Sequence, residues 1–185
     1  IQLILWLGIP AYGQQPHTPK ANSEAIVTEG DARFTVLTDR LIRMEWDEDR
    51  DFEDRATLVF INRDLEVPDY EVGRNENRVV ITTDSLELEY TPNGGKFDST
   101  NLEIEFQVSG GSRIWHPGME NEGNLKGTTR TLDVVKGATE LDDGILSRDG
   151  WALVNDTNRP LFDDSDWPWA VERADSNQQD WYFFG

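Results

Sequence analysis

Cysteine is absent and histidine nearly so: the 185 residues include no Cys and two His. This excludes a disulfide framework, a thiolate metal site and a cysteine nucleophile. His17 and His116 cannot build a multi-histidine metal centre on their own. Basic charge is scarce, with 17 Lys+Arg against 36 Asp+Glu and a net charge of −19. Such a surface repels phosphate backbones, so no nucleic-acid partner is expected. It also disfavours anionic membrane surfaces. Long hydrophobic runs are missing: the apolar stretch at residues 1–10 (IQLILWLGIP) is too short for a bilayer, which takes about 20 residues. No membrane partner is expected. There is no G-x-G-x-x-G, Walker loop, G-x-S-x-G or H-E-x-x-H, and no cofactor is expected. What remains, 37% hydrophobic and 10% aromatic residues, is enough for the core of one domain.

The apolar start is followed by Ala11-Tyr12-Gly13, which puts small residues at the −3 and −1 positions of a signal-peptidase site. Residues 1–13 read as a signal-peptide remnant, so the protein is expected to be secreted or periplasmic. A buried N-terminal strand is the alternative. Residues 14–23, polar with Pro16 and Pro19, read as a flexible leader. Residues 24–185 then form the folded domain.

Within it, period-2 alternation dominates, and no window holds an apolar stripe of helical period. Leu102, Ile104, Phe106 and Val108 alternate with Glu103, Glu105 and Gln107. Leu86, Leu88 and Tyr90 alternate with Glu87 and Glu89, and Ile42, Met44 and Trp46 with Arg43, Glu45 and Asp47. Phe34, Val36 and the run 78–82 are further strands. The run Thr57-Leu58-Val59-Phe60-Ile61 suits a strand buried on both faces. Pro92-Asn93-Gly94-Gly95 reads as a hairpin loop, because Asn and Gly tolerate positive φ. Thr38-Asp39-Arg40 and Gly110-Gly111 are further turns. The pattern predicts an all-β fold, an antiparallel β-sandwich.

The second half changes character. Four of the seven Trp (Trp151, Trp167, Trp169, Trp181) lie there, and aspartates interleave with indoles around Asp163, Asp164 and Asp166. Carboxylates accept hydrogen bonds from sugar hydroxyls, and indole faces pack on the C–H faces of sugar rings. The same residues also suit a core of Trp with Asp in solvated loops. A calcium loop at Asp163, Asp164 and Asp166 lacks the expected Gly and bidentate Glu. Glu45 and Asp47 could serve as a carboxylate pair, but they lie on the polar side of a strand, where charge is ordinarily solvated. His116 could be a general acid or base, yet Pro117-Gly118 directly after it makes it a turn residue.

Several strings, in order, are similar to the N-terminal domain of glycoside hydrolase family 31, the α-glucosidase and α-xylosidase family. They are Arg43-Met44-Glu45-Trp46, Phe52-Glu53-Asp54-Arg55-Ala56-Thr57 and Ile61-Asn62-Arg63. Stronger are Asn124-Leu125-Lys126-Gly127-Thr128-Thr129-Arg130-Thr131-Leu132-Asp133 and Gly144-Ile145-Leu146-Ser147-Arg148-Asp149-Gly150-Trp151, closed by Asp180-Trp181-Tyr182-Phe183-Phe184-Gly185. The resemblance spans residues 25–185. It implies a galactose-mutarotase-like supersandwich ahead of a (β/α)8 barrel that holds two catalytic aspartates and retains anomeric configuration. No string here resembles the family's W-x-D-M-N-E nucleophile region, so no catalytic residue is assigned to this chain, and a barrel is expected after residue 185. The family's sandwich reaches the sugar subsites through a loop with an Arg-Asp pair, which corresponds to Arg148 and Asp149. Trp151 joins them as a substrate-binding candidate. Lys126 departs from the Gly expected at its position.

These readings set up three expectations. The first is the non-catalytic N-terminal domain of a secreted retaining α-glycosidase, with an oligosaccharide substrate and the barrel as partners. The second is a free-standing carbohydrate-binding sandwich with Trp151, Trp167 and Trp169 as its platform. The third is a sandwich that only stabilises the barrel. An apolar patch at Trp181, Tyr182, Phe183 and Phe184 is expected where the barrel would pack.

Overall fold

The computed structural model describes residues 17–75, 77–127, 133–165, 168–174 and 177–185. The signal-peptide remnant, residues 14–16 of the leader, residues 128–132, Asp166 and Trp167 lie outside the described residues.

Twelve strands are described. They are β1 (Ile26–Glu29), β2 (Ala32–Thr38), β3 (Leu41–Trp46), β4 (Tyr70–Asn75), β5 (Arg78–Thr83) and β6 (Leu86–Tyr90), then β7 (Leu102–Val108), β8 (Gly111–Trp115), β9 (Ala152–Asn155), β10 (Leu161–Phe162), β11 (Ala170–Val171) and β12 (Gln179–Phe184). β4 to β8 form an antiparallel meander in sequence order. The other five-stranded sheet runs β1-β2-β3-β12-β9, and β10 pairs with β11 in a small ribbon. All strand pairs are antiparallel, and the two large sheets face each other as a β-sandwich.

The alternating segments fold as their period demands. On β7, Leu102, Ile104 and Phe106 are buried while Glu103, Glu105 and Gln107 face solvent. β6 does the same with Leu86, Leu88 and Tyr90. Their inner faces meet Phe34, Val36, Ile42, Met44 and Trp46 of the opposite sheet. Phe34 meets Tyr90 edge-on at 5.3 Å, and Phe106 meets Phe183 at 5.4 Å. The turns fall where expected, with Gly94 and Gly110 in the positive-φ conformations that only glycine adopts at little cost.

Three expectations are corrected. The aromatic run at 181–184 is not an exposed patch. β12 is inserted between β3 and β9, and Tyr182 and Phe183 are fully buried. The sheet therefore joins the last described strand to β3, which comes from the first fifty residues. The run 57–61 is not a strand buried on both faces. It contributes one isolated bridge, Thr57 to Leu161, while Leu58, Val59 and Ile61 are exposed. It belongs to a covering layer, residues 47–65, 156–165 and 168–173, over the outer face of the β1-β2-β3-β12-β9 sheet. For the same reason Glu45 is not solvated: it is 2% exposed. Asp47 is also buried, accepting the N–H groups of Asp49 and Asp51.

Beneath that layer lies a ladder of buried charge. Arg33 grips Glu45 with two N–H groups at 2.7 and 2.9 Å. Arg43 grips Asp180 likewise at 2.8 and 2.7 Å and also reaches Glu45 at 3.0 Å. Arg173, from the covering layer, donates to Asp180 at 3.0 Å. Arg33 and Arg43 both donate to the Glu53 carbonyl, which fastens the layer to the sheet. Arg63 donates to the Tyr182 hydroxyl, and the Phe60 ring stacks on Tyr182 at 3.4 Å. Burial works to raise the Asp180 carboxyl, but Arg43 and Arg173 outweigh it and hold that group below the usual carboxylate range. Burial pushes Glu45 up in spite of Arg43 and Arg33.

Asp156 is the exception in this ladder. Its carboxylate is buried, no described group makes a well-formed hydrogen bond to it, and the Thr57 hydroxyl and the Arg63 and Arg43 charges offset its burial only in part. Burial first, and the Asp180 charge second, raise its pKa. In the unfolded chain an Asp titrates near pH ~3.9. Between that value and the raised one, the folded state binds more protons, so stability falls as pH rises through this window. At neutral pH the buried charge is a cost. Asp156→Asn should therefore raise the melting temperature at pH 7 by roughly 2–4 °C, with the gain closing below about pH 4. A lower melting temperature at pH 7 would contradict this.

Candidate functional site

The connection from β8 to β9, residues 116–151, is the longest between described strands and carries Arg148, Asp149 and Trp151. It opens with His116 in a turn: the Met119 N–H donates to the His116 carbonyl, and the imidazole Nδ1 lies 3.1 Å from the Pro117 carbonyl. The chain then runs out and back as two adjoining segments, 121–127 and 142–149.

Backbone and asparagine bonds hold the segments together. Leu125 N–H donates to the Leu146 carbonyl, Gly127 N–H to Asp142, and Arg148 N–H to Gly123. The Asn124 side chain acts as an extra peptide unit, accepting from Gly144 N–H and donating to the Gly144 carbonyl, both at 2.9 Å. Asn121 accepts from the Ser147 hydroxyl and donates to the Trp151 carbonyl at 2.8 Å. The segments approach too closely for side chains at two points. A Cβ on Gly144 would lie 2.8 Å from the Lys126 carbonyl oxygen. A Cβ on Gly123 would lie 2.7 Å from the Asp149 carboxylate. Lys126 stands in the left-handed region at φ +64, the conformation glycine favours, and its ammonium pairs with Asp143. We expect Gly144→Ala to part the segments at a cost of about 1–3 kcal/mol. Hydrogen exchange should show the Leu125 and Gly127 amides losing protection while β6 and β7 keep theirs; unchanged protection at those two amides would contradict this.

The three candidate residues occupy different environments. Asp149 is half-buried at the root of the loop pair. Its Oδ2 accepts from Gly123 N–H at 2.7 Å, and its Oδ1 from Arg113 on β8 at 3.2 Å. The same Arg113 nitrogen donates to the Asp149 carbonyl at 2.9 Å. The guanidinium beside this carboxylate is thus that of Arg113, not of its neighbour Arg148. Arg148 is exposed, and its side chain makes no hydrogen bond or ion pair among the described residues. Trp151 lies beneath them, 8% exposed, in the aromatic cluster of the core. Its ring is nearly parallel to Phe183 at 6.5 Å and tilted against Trp115 at 6.1 Å.

No family model and no curated protein matches the chain. What the geometry offers is a hollow of about 510 Å³ at the base of the loop pair, lined among others by Met119, Asn121, Asn124, Asp143, Trp151 and Leu153. Its wall is mixed, with carboxylate, amide and indole groups, the donor and acceptor set that suits a polyhydroxylated ligand. Along the outer side of the pair, Leu125, Ile145 and Leu146 are exposed, Leu146 at 66%. Among the described residues no group of three or more His, Cys, Asp or Glu could hold a metal ion. Asp163, of the calcium reading, spends one oxygen on Ser165 and the Trp169 N–H.

Arg113, Gly123, Asn121 and Asn124 were not singled out by sequence. Arg113 sits in a short exposed strand 36 positions from Asp149, and no spacing rule links the two. Asn124 and Gly123 lay in or beside a resembling string, but their geometry depends on a segment about twenty residues away.

Proposed function

We propose that the chain is the N-terminal, non-catalytic sandwich of a secreted or periplasmic retaining α-glycosidase that hydrolyses terminal α-linked sugars. In this reading a galactose-mutarotase-like sandwich packs on a (β/α)8 barrel bearing the catalytic aspartates, and the loop pair borders the sugar site. One observation carries it. The two strings that most resemble glycoside hydrolase family 31, beginning at Asn124 and at Gly144, come from separate parts of the chain and pair with each other through their hydrogen bonds. The Arg148 side chain has no partner among the described residues, and Leu125, Ile145 and Leu146 are exposed along the paired segments. Exposed aliphatic side chains on an otherwise acidic protein suit insertion against a second body.

The binding-module reading draws less support. Trp151 packs in the core, Trp167 lies outside the described residues, and Trp169 alone offers a largely exposed indole.

The test is hydrolysis of p-nitrophenyl α-glucoside, α-xyloside and α-galactoside by the protein that carries this sandwich together with the domain that follows it. The reading predicts that one of the three is cleaved and that NMR shows the α-anomer as first product. First release of the β-anomer, or no cleavage of any of the three, would overturn it.

A further inference from the structure

Leu58, Val59 and Ile61 of the covering layer are exposed, so backbone and charge bonds do much of the work of holding that layer down. Its two halves meet where Leu58 N–H donates to the Pro160 carbonyl at 3.1 Å and Phe162 N–H to the Ala56 carbonyl at 2.8 Å. A segment held this way opens at a lower free energy than the core. Across it lies a short piece of the chain's own start, His17-Thr18-Pro19. We propose that the seam between residues 62–64 and Phe162 is a binding site for an extended peptide, that residues 17–19 of this chain are its occupant, and that the occupied site locks the layer over the buried charges.

Thr18 spends every polar atom in the seam. Its carbonyl accepts from the Arg63 N–H at 2.7 Å and from the Asp64 N–H at 3.1 Å. Its own N–H and its hydroxyl both donate to the Asn62 side-chain oxygen, at 2.9 and 3.2 Å. Thr18 and Asn62 form a parallel bridge, and main-chain bonds of this kind are how a peptide adds to an exposed backbone edge. The neighbours of Thr18 reach further. The His17 ring lies 5.3 Å from Phe162, and the Pro19 carbonyl accepts from Arg63 at 2.9 Å. Three consecutive residues thus touch both halves of the layer.

Arg63 connects the occupant to the sheet. It is 1% exposed. The nitrogen that holds the Pro19 carbonyl also donates to the Arg55 carbonyl at 3.0 Å, and Nε donates to the Tyr182 hydroxyl on β12. Its Nη2 is buried without a partner among the described residues. Release of residues 17–19 would take one more acceptor from a guanidinium that is already short of them, which is costly in a buried site. The sequence also prepares the occupant. A residue before proline is biased toward extended backbone, so Thr18 enters the seam close to the shape it needs. The ligand class is therefore a short extended peptide with a hydroxyl residue ahead of proline. No sugar and no catalytic domain takes part.

The test is amide hydrogen exchange on the chain starting at residue 14 and on one starting at residue 21, each with and without Asn62→Ala. The shorter chain should exchange its Leu58 and Phe162 amides about tenfold faster, with β6 and β7 unchanged. In the longer chain Asn62→Ala, at an exposed side chain, should speed the same two amides several-fold. In the shorter chain it should add nothing, because its partner is gone. A synthetic peptide of residues 14–20, at the millimolar concentration that a short tether supplies, should restore protection to the shorter chain. The same peptide carrying Thr18→Pro, which lacks the N–H, should not. Unchanged exchange at Leu58 and Phe162 in the shorter chain would overturn the proposal. So would equal acceleration in β6 and β7, the signature of global destabilisation, or protection restored by both peptides or by neither. If the shorter chain does not fold, Asn62→Ala in the longer one decides: unchanged exchange at both amides overturns the proposal.

Discussion

Asp180→Ala is expected to cost the sandwich about 3–5 kcal/mol, the usual penalty for breaking a buried ion pair from one side. The substitution strips Arg43 of a two-pronged partner and Arg173 of its carboxylate, and leaves both guanidinium groups under the covering layer. Chemical denaturation checks it, and a loss below about 1 kcal/mol would place the ladder among ion pairs of little net value. Replacing both partners with apolar side chains, Arg43→Met with Asp180→Leu, should recover much of the loss, since no charge is then stranded. The pH dependence has a definite sign. Asp180 titrates below its ordinary range, so its contribution is complete above about pH 4 and is lost as pH falls further through its folded value. Asp156 works in the opposite direction. Asp180→Ala should therefore flatten the acid limb of the stability profile, and Asp156→Asn should lift the neutral one.

Trp151→Ala should cost about 3–5 kcal/mol, as large aromatic truncations in cores do. Trp151 touches the cluster of Trp115 and Phe183, and its backbone carbonyl anchors Asn121 at the base of the loop pair. Trp169→Ala, at an exposed side chain, should stay within about 0.5 kcal/mol. The contrast separates a core tryptophan from a surface sugar platform. A loss under about 1 kcal/mol for Trp151→Ala, with loss of glycan binding, would restore the platform.

The sheets that face solvent on one side were readable. β6 and β7 alternate cleanly because one face is wet, and period 2 then marks which side chains go inward. The other sheet reads differently. On β2 and β3 nearly every side chain is buried, including Arg33, Thr35, Arg43 and Glu45. The alternation survives there, but its polar positions face a covering layer instead of water, and no local signal distinguishes the two cases. The run 57–61 misled in the complementary way: its apolar side chains sit in that layer, and three of them point outward. β12 misled because an aromatic strand reads alike whether it lies at a surface or at the centre of a sheet. Its position between β3 and β9 is set by pairing across more than 130 residues. At the loop, the resembling strings marked Arg148, Asp149 and Trp151, but Arg113 and Gly123, which fix Asp149, come from contacts that sequence order does not encode.

The claim that the loop pair takes part in a sugar site is tested most directly by shortening it. Replacing residues 125–143 with two glycines leaves the core cluster, Arg113, Gly123 and Asp149 in place. If the sandwich serves the proposed glycosidase, kcat/KM of that enzyme on its aryl α-glycoside should fall at least tenfold while the melting temperature of the sandwich holds within a few degrees. Unchanged kcat/KM in a shortened, folded enzyme would contradict the account.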